Sequence, residues 1–316
     1  MTTGHSEVTK TSFQVSAEGG ITLHARKWEP KQLEEDQKFL VVTHGACEHG
    51  GRYNDLLERA ARQGWTAIAI DLRGHGQSTG NYVHVERFAD YSQDLLSVLN
   101  YVEAPPESTV LIGCSMGGLV SIRTLQNHWK EHNCNPCKGL VLLSPLLGIK
   151  HPIEMWKKIV ARGLSVTFPR TRFRSTIDLS LLSHDQELIE SKRNDPRIRG
   201  AVTARWFWET RRAIEDAFRD VNCIQVPTLL LQSGADFVVD PLASKVWSNL
   251  INNCQTSEDS HQVHFRMLEN WYHEILNEPQ GPVVADAILK FGSNILDSNI
   301  SDHSLSELPA AHQVAS

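Results

Sequence analysis

Long apolar runs are missing from this chain. No stretch of about 18 consecutive apolar residues occurs, so no helix is expected to span a membrane. The segment Met1 to Ser12 is polar and has no apolar leader core, so a cytoplasmic setting is expected. An excess of positive charge is also lacking: 31 Lys and Arg stand against 37 Asp and Glu, a formal net charge of −6. Nucleic-acid binding usually calls for a basic face, so that partner is excluded. Cysteine is sparse, with 6 in 316 residues, too dilute for a disulfide-stapled mini-domain. Cys134-Asn135-Pro136-Cys137 has no second pair nearby, and zinc would need further ligands. A redox pair would open a helix after a strand, whereas this one follows a helix. Asp71-Leu72-Arg73-Gly74-His75-Gly76 lacks the full dinucleotide fingerprint, so no nucleotide is implied. No internal repeat appears, and no cofactor or metal is expected.

What is present is an ordinary globular composition, 41% hydrophobic and 22% charged. A chain of this length can bury a core without staples. Strand and helix patterns alternate along it. Phe13–Ser16 and Ile21–Lys27, joined by Glu18-Gly19-Gly20, read as a hairpin. Buried-strand patterns fall at Phe39–Thr43, Thr66–Ile70, Thr109–Ile112, Leu140–Leu143, Thr228–Leu231 and Phe265–Leu268. Helical patterns fall at Tyr53–Gln63, Phe88–Val102, Leu119–Trp129 and Val283–Phe291. The alternation predicts a mostly parallel sheet with helices on both faces. Residues 1–10 and 293–316 are polar and aperiodic, and read as loose tails.

Residues 150–215 break the rhythm. They hold 14 Lys and Arg against 8 Asp and Glu, a local +6 in an acidic chain. Trp156, Phe168, Phe173, Trp206, Phe207 and Trp208 add aromatic weight. This stretch reads as a helical cap inserted into a core of residues 11–149 and 216–292. It is either a solvated cap or a cationic, aromatic lid meeting lipid.

The chemistry is concentrated in Gly113-Cys114-Ser115-Met116-Gly117, between a strand and a helix. G-x-S-x-G in that context is a nucleophile elbow. The turn is too tight for flanking side chains, so it needs glycine and lifts the Ser115 hydroxyl above the sheet. The Met116 N–H then sits at a helix N-terminus, where it can hold a developing oxyanion. A serine nucleophile needs a base, and the base an orienting acid, in the chain order Ser, Asp, His. Asp236 lies just past the strand Thr228–Leu231, where open sheets place their sites, and is favoured as the acid. Its neighbour Asp240 reads as the cap of a helix after Pro241. His273 follows the strand Phe265–Leu268 and is the expected base, whereas His261 and His264 fall at the wrong end of that strand. A second oxyanion donor is expected from His44-Gly45-Ala46-Cys47-Glu48-His49-Gly50, with Ala46 N–H as donor and His44 as a brace.

Taken in order, His44-Gly45-Ala46, Asp71 to Ser78, Gly113 to Gly118, Asp236 and His273-Glu274 resemble the α/β-hydrolase fold. More closely they resemble its monoacylglycerol lipase and lysophospholipase branch. Residues 44–53 are similar to the oxyanion loop of that branch, and residues 273–278 to its catalytic-histidine segment. The likeness runs from about residue 13 to 292 and is weakest across the cap. That branch often carries His before the nucleophile, where this chain has Cys114. The resemblance implies an eight-stranded, mostly parallel sheet with a helical cap. It also implies a cofactor-free serine hydrolase of single-chain lipid esters, monoacylglycerol or lysophospholipid. Peripheral contact between the cap and a membrane is expected from its charge and aromatics. A thioesterase or proline-type peptidase using the same three residues is the alternative. A non-catalytic ligand-binding protein would usually have lost one of them, and all three are here.

Overall fold

Alternating side chains on each strand sort the core into two layers, one on either side of a single sheet. The computed structural model describes residues 7–33, 36–150, 154–174, 177–254 and 262–298, with the side chains of 155–158 left out. In chain order the strands are β1 (Val8–Ala17), β2 (Ile21–Pro30), β3 (Lys38–Thr43), β4 (Trp65–Asp71), β5 (Thr109–Cys114), β6 (Gly139–Leu143), β7 (Arg172–Arg174), β8 (Ala201–Thr203), β9 (Thr228–Ser233) and β10 (Val263–Leu268). The helices are α1 (Asn54–Arg62), α2 (Ala89–Tyr101), α3 (Met116–His132), α4 (Met155–Thr167), α5 (Gln186–Arg193), α6 (Ala204–Arg219), α7 (Pro241–Cys254) and α8 (Gly281–Leu296). Eight strands form one sheet in the order β1-β2-β4-β3-β5-β6-β9-β10. Pairing is antiparallel at β1–β2 and β2–β4 and parallel from β4 to β10.

The central strands are buried on both faces, as their near-continuous apolar runs require. Val41, Ile68, Leu111, Leu140 and Leu230 point to one side, under α2, α3, α6 and α7. Val42, Ala69, Ile112, Val141 and Leu231 point to the other, under α1 and α8. Each strand therefore serves two cores with a period of two. Trp65 is fully buried and its ring packs close to Gly292 in α8, where a Cβ would lie 3.1 Å from it.

Both expected tails are shorter than the sequence predicts. β1 begins at Val8, inside the span 1–10, and pairs with β2 as far as Pro30. Its polar residues are exposed because it is an edge strand with one solvated face. Residues 1–6 lie outside the described residues. Helix α8 continues to Leu296, past the expected boundary at 292, because Ile295 is buried against the second core. The rest of the expected C-terminal tail, 299–316, lies outside the described residues.

The cap is not wholly helical. β7 and β8 form a separate two-stranded antiparallel pair beside α4, α5 and α6. Its far boundary also moves, because α6 runs unbroken to Arg219. Ala213 and Ala217 of α6 pack into the main core, so this helix belongs to cap and core at once. Trp206 turns inward and Phe168 and Phe173 outward; the side chain of Trp156 lies outside the described residues.

Candidate active site

The turn after β5 is held by close approaches that only glycine allows. A Cβ on Gly117 would sit 2.0 Å from the Thr43 carbonyl oxygen, and one on Gly113 would sit 2.6 Å from the Gly117 oxygen. Between them Ser115 adopts φ 51° and ψ −117°, a region that side chains rarely occupy. Its backbone is clamped: Ser115 N–H donates to Leu143 O at 2.9 Å, and its carbonyl accepts from Leu146 N–H at 2.9 Å. Met116 opens α3, so its N–H belongs to the first turn, where helices leave donors unpaired.

Asp236 and His273 come from loops after neighbouring strands. Asp236 follows β9, and its Oδ1 accepts from Val238 N–H (2.8 Å) and Val239 N–H (3.0 Å). The two loops are tied where Ala235 N–H donates to Trp271 O at 3.1 Å and Ser233 Oγ to Tyr272 O at 2.5 Å. His273 Nδ1 lies 2.8 Å from Asp236 Oδ2, and Nε2 lies 2.9 Å from Ser115 Oγ. An ionised carboxylate only accepts, so Nδ1 carries the proton and Nε2 is left to accept from the Ser115 hydroxyl.

Electrostatics favour the same arrangement. Burial alone would pull His273 down, but the Asp236 carboxylate outweighs it, and the imidazole lies above its ordinary value. Burial pushes the Asp236 carboxyl up, yet His273 and two backbone N–H donors hold it below the usual range. The expected competitors have other roles. Asp240 accepts from Leu242 N–H at 3.1 Å and caps α7. His264 lies in β10 with its ring against Phe291, and His261 lies outside the described residues.

The loop after β3 lies against the nucleophile. A Cβ on Gly45 would be 3.1 Å from the Ser115 Cβ. His44 braces this loop: its Nε2 accepts from Leu72 N–H at 3.0 Å, and burial lowers its pKa to about 4. Ala46, Cys47 and Ser115 share the wall of a cavity of about 540 Å³. Cys47 takes the left-handed conformation, φ 57°. Most of the wall is apolar, including Leu146, Leu179, Leu182, Trp206 and Phe207, much of it supplied by the cap. Cys114 also lines it, and burial pushes this thiol far above its ordinary range.

One end of the cavity is polar and was not anticipated. Glu48, Tyr53, Lys192, Glu274 and Asn277 line it. Glu48, Tyr53 and Glu274 fall inside segments already singled out, so their place could have been read there. Lys192 gives no such signal, being one lysine in a basic cap. The Cys134–Cys137 segment lies apart, with all 6 cysteines free and Cys137 buried. Among the described residues, no group of three His, Cys, Asp or Glu could hold a metal ion. Nor is any helix among them long and apolar enough to cross a membrane.

An eight-stranded, mostly parallel sheet with a serine at the tight turn after β5 defines an α/β-hydrolase. The family profile described as serine aminopeptidase, S33, matches residues 34–280, and the chain belongs to that family. Phospholipase YtpA of Bacillus subtilis is 30% identical over 254 residues, 80% of this chain and 93% of that protein. Monoglyceride lipase of Rattus norvegicus is 29% identical over 279 residues, covering 87% and 86%. The crystal structure of Paleococcus ferrophilus monoacylglycerol lipase superposes with a TM-score of 0.72 at 22% identity, covering 92% of this chain and 99% of that one. These relatives are of lipase and esterase type, and the chain is a hydrolase of that kind.

Proposed function

We propose that the chain is a serine esterase cleaving single-chain lipid esters, monoacylglycerol or lysophospholipid, through an acyl-enzyme. The observation that carries this reading is the hydrogen-bonded series Asp236–His273–Ser115 opening on a mostly apolar cavity. Ser115 Oγ attacks the ester carbonyl as His273 Nε2 takes its proton. Backbone N–H groups of Ala46 and Met116 hold the oxyanion. His273 returns the proton to the leaving alcohol, then activates water to release the fatty acid. Asp236 fixes the ring tautomer and stabilises the imidazolium. The named activities of the phospholipase and monoglyceride lipase relatives support the same substrate class.

Ser115→Ala should reduce fatty-acid release from monoacylglycerol and lysophosphatidylcholine by roughly 10⁶-fold, as loss of a triad nucleophile does elsewhere. Release at the wild-type rate by that variant would overturn the assignment. The better of the two substrates reports whether the cavity admits a charged head group. The peptidase alternative requires carboxylates free to hold a substrate ammonium. Glu48 and Glu274 line the cavity, but Lys192 already stands between them, which favours the ester reading.

The cap carries a second part of the proposal. Ile159, Val160, Val166 and Phe168 are exposed on and after α4, and Arg170, Arg172 and Arg174 follow on the same stretch. We infer that this apolar and cationic surface rests on lipid, so that a cytoplasmic enzyme meets substrate at the membrane.

A further inference from the structure

Lys192 is a lysine almost wholly removed from water, on a cap helix of ordinary amphipathic sequence. It lies between two carboxylates from different parts of the core. Its Nζ pairs closely with Glu274 Oε1 and is 3.9 Å from Glu48 Oε2. Among the described residues it is the one cation within 4.0 Å of Glu48. Apart from that ion pair, Glu48 Oε2 is buried with no hydrogen-bond partner. Burial would pull the Lys192 ammonium down, but the carboxylates reverse this and keep it charged.

Each carboxylate is built into a reacting loop. Glu48 Oε1 accepts from Gly45 N–H at 2.5 Å and from Tyr53 Oη–H at 2.8 Å. Gly45 immediately precedes Ala46 and packs against Ser115. Glu274 follows His273; its Oε2 accepts from Asn277 Nδ2 at 2.7 Å, and its N–H donates to Leu182 O of the cap at 2.8 Å. The core reaches back to α5 as well, since Arg52 donates to Leu188 O at 3.2 Å and His49 Nε2 lies 2.9 Å from Asp195 just beyond the helix. A buried ion network gains little stability over apolar packing of the same shape. Its position at the cavity wall therefore calls for a role in the reaction.

We propose that Lys192 is a positioning residue: by bridging Glu48 and Glu274 it fixes the oxyanion loop and the histidine loop to one another, so that seating the cap and aligning the reacting groups are a single event. The inference rests on the serine-esterase reading above. It also makes the imidazole sensitive to the charge at position 192. His273 is faced by Asp236 from the loop after β9, Ser115 from the elbow, Glu274 on its own loop and Lys192 from α5; Arg52 and Glu48, from the segment after β3, stand one step behind them, paired with Glu274 and Lys192. Without Lys192, Glu274 is left with Arg52, Glu48 has no described cation within 4.0 Å, and the adjacent imidazolium is favoured.

The test is a pH–rate series on wild type, Lys192→Met, Lys192→Arg and Lys192→Met/Glu274→Gln, with monoacylglycerol and with a short p-nitrophenyl ester. In Lys192→Met, kcat on both substrates should fall about 10- to 100-fold, the scale of a misplaced reacting group. The acid limb should move up by roughly one pH unit. Lys192→Arg, and the charge-balanced double variant, should return the limb to its wild-type position. A Lys192→Met protein with wild-type kcat and an unmoved acid limb overturns the proposal. So does a loss confined to KM for monoacylglycerol, which marks a head-group contact only. Should Lys192→Met fail to fold, the double variant decides: an acid limb at the wild-type position with lowered kcat supports positioning, and wild-type kcat overturns it. Absence of Ser115-dependent hydrolysis in wild type would instead remove the underlying esterase reading.

Discussion

At the scale of single residues, the site is a contest between burial and pairing. In the proposed mechanism His273 must be neutral to accept the Ser115 proton, and Asp236 raises its pKa above the ordinary 6.5. The rate should therefore fall with acid through a midpoint above that value. In Asp236→Asn the raising influence is gone, so the midpoint should move down. kcat should drop on the order of 10⁴-fold, because the wrong ring nitrogen then carries the proton. A pH–rate profile of both proteins on one soluble ester checks the two directions together. An unmoved midpoint in the variant would show that Asp236 does not set the base. Cys114 illustrates the opposite balance: burial, with the Glu48 and Glu274 carboxylates nearby, disfavours its thiolate.

At the scale of elements, the strand–turn–helix around Ser115 is the least tolerant part of the chain. Gly117→Ala would drive a methyl onto the Thr43 carbonyl, 2.0 Å away, and β3 cannot yield because it is paired on both edges. The variant should lose nearly all activity and melt several degrees lower, as overpacking of about 1–3 kcal/mol would produce. Thermal melting with an activity assay reads this, and near-wild-type values in both would refute the steric account. This element was fully legible in the sequence, because its physics is local: glycines, a serine, a strand before and a helix after. So were the central strands, whose apolar runs need no tertiary context. β1 was cut short because an edge strand with a solvated face reads as polar chain. The β7–β8 pair is not legible because three residues per strand are too few to carry a period, and β7 is exposed throughout. Lys192 was beyond reach for another reason. Its meaning lies in the distance to Glu274, 82 positions away, and nothing local encodes that.

At the scale of the whole molecule, charge is divided between two faces of one function. The chain carries −6 overall while residues 150–215 carry +6. That division should steer the cap, and not the core, toward an anionic surface. Binding to vesicles containing phosphatidylserine should exceed binding to neutral phosphatidylcholine vesicles at low salt, and the difference should shrink as salt rises. Equal partitioning onto both would remove the charge part of the membrane proposal. Phe168→Ser should weaken binding to both vesicle types, because it removes apolar area and leaves the charge unchanged.

The hydrogen bond from Ser115 to His273 joins residues 158 positions apart. Between them the chain must complete β6, the entire cap, β9 and β10 in parallel register. Contacts of that separation close late in folding, after local helices and turns have formed. A partly folded chain can thus own a finished elbow and still have no base within reach. Hydrolytic competence is in this sense a signature of completed folding, and a chain still searching for its native register cannot cleave an ester by this route.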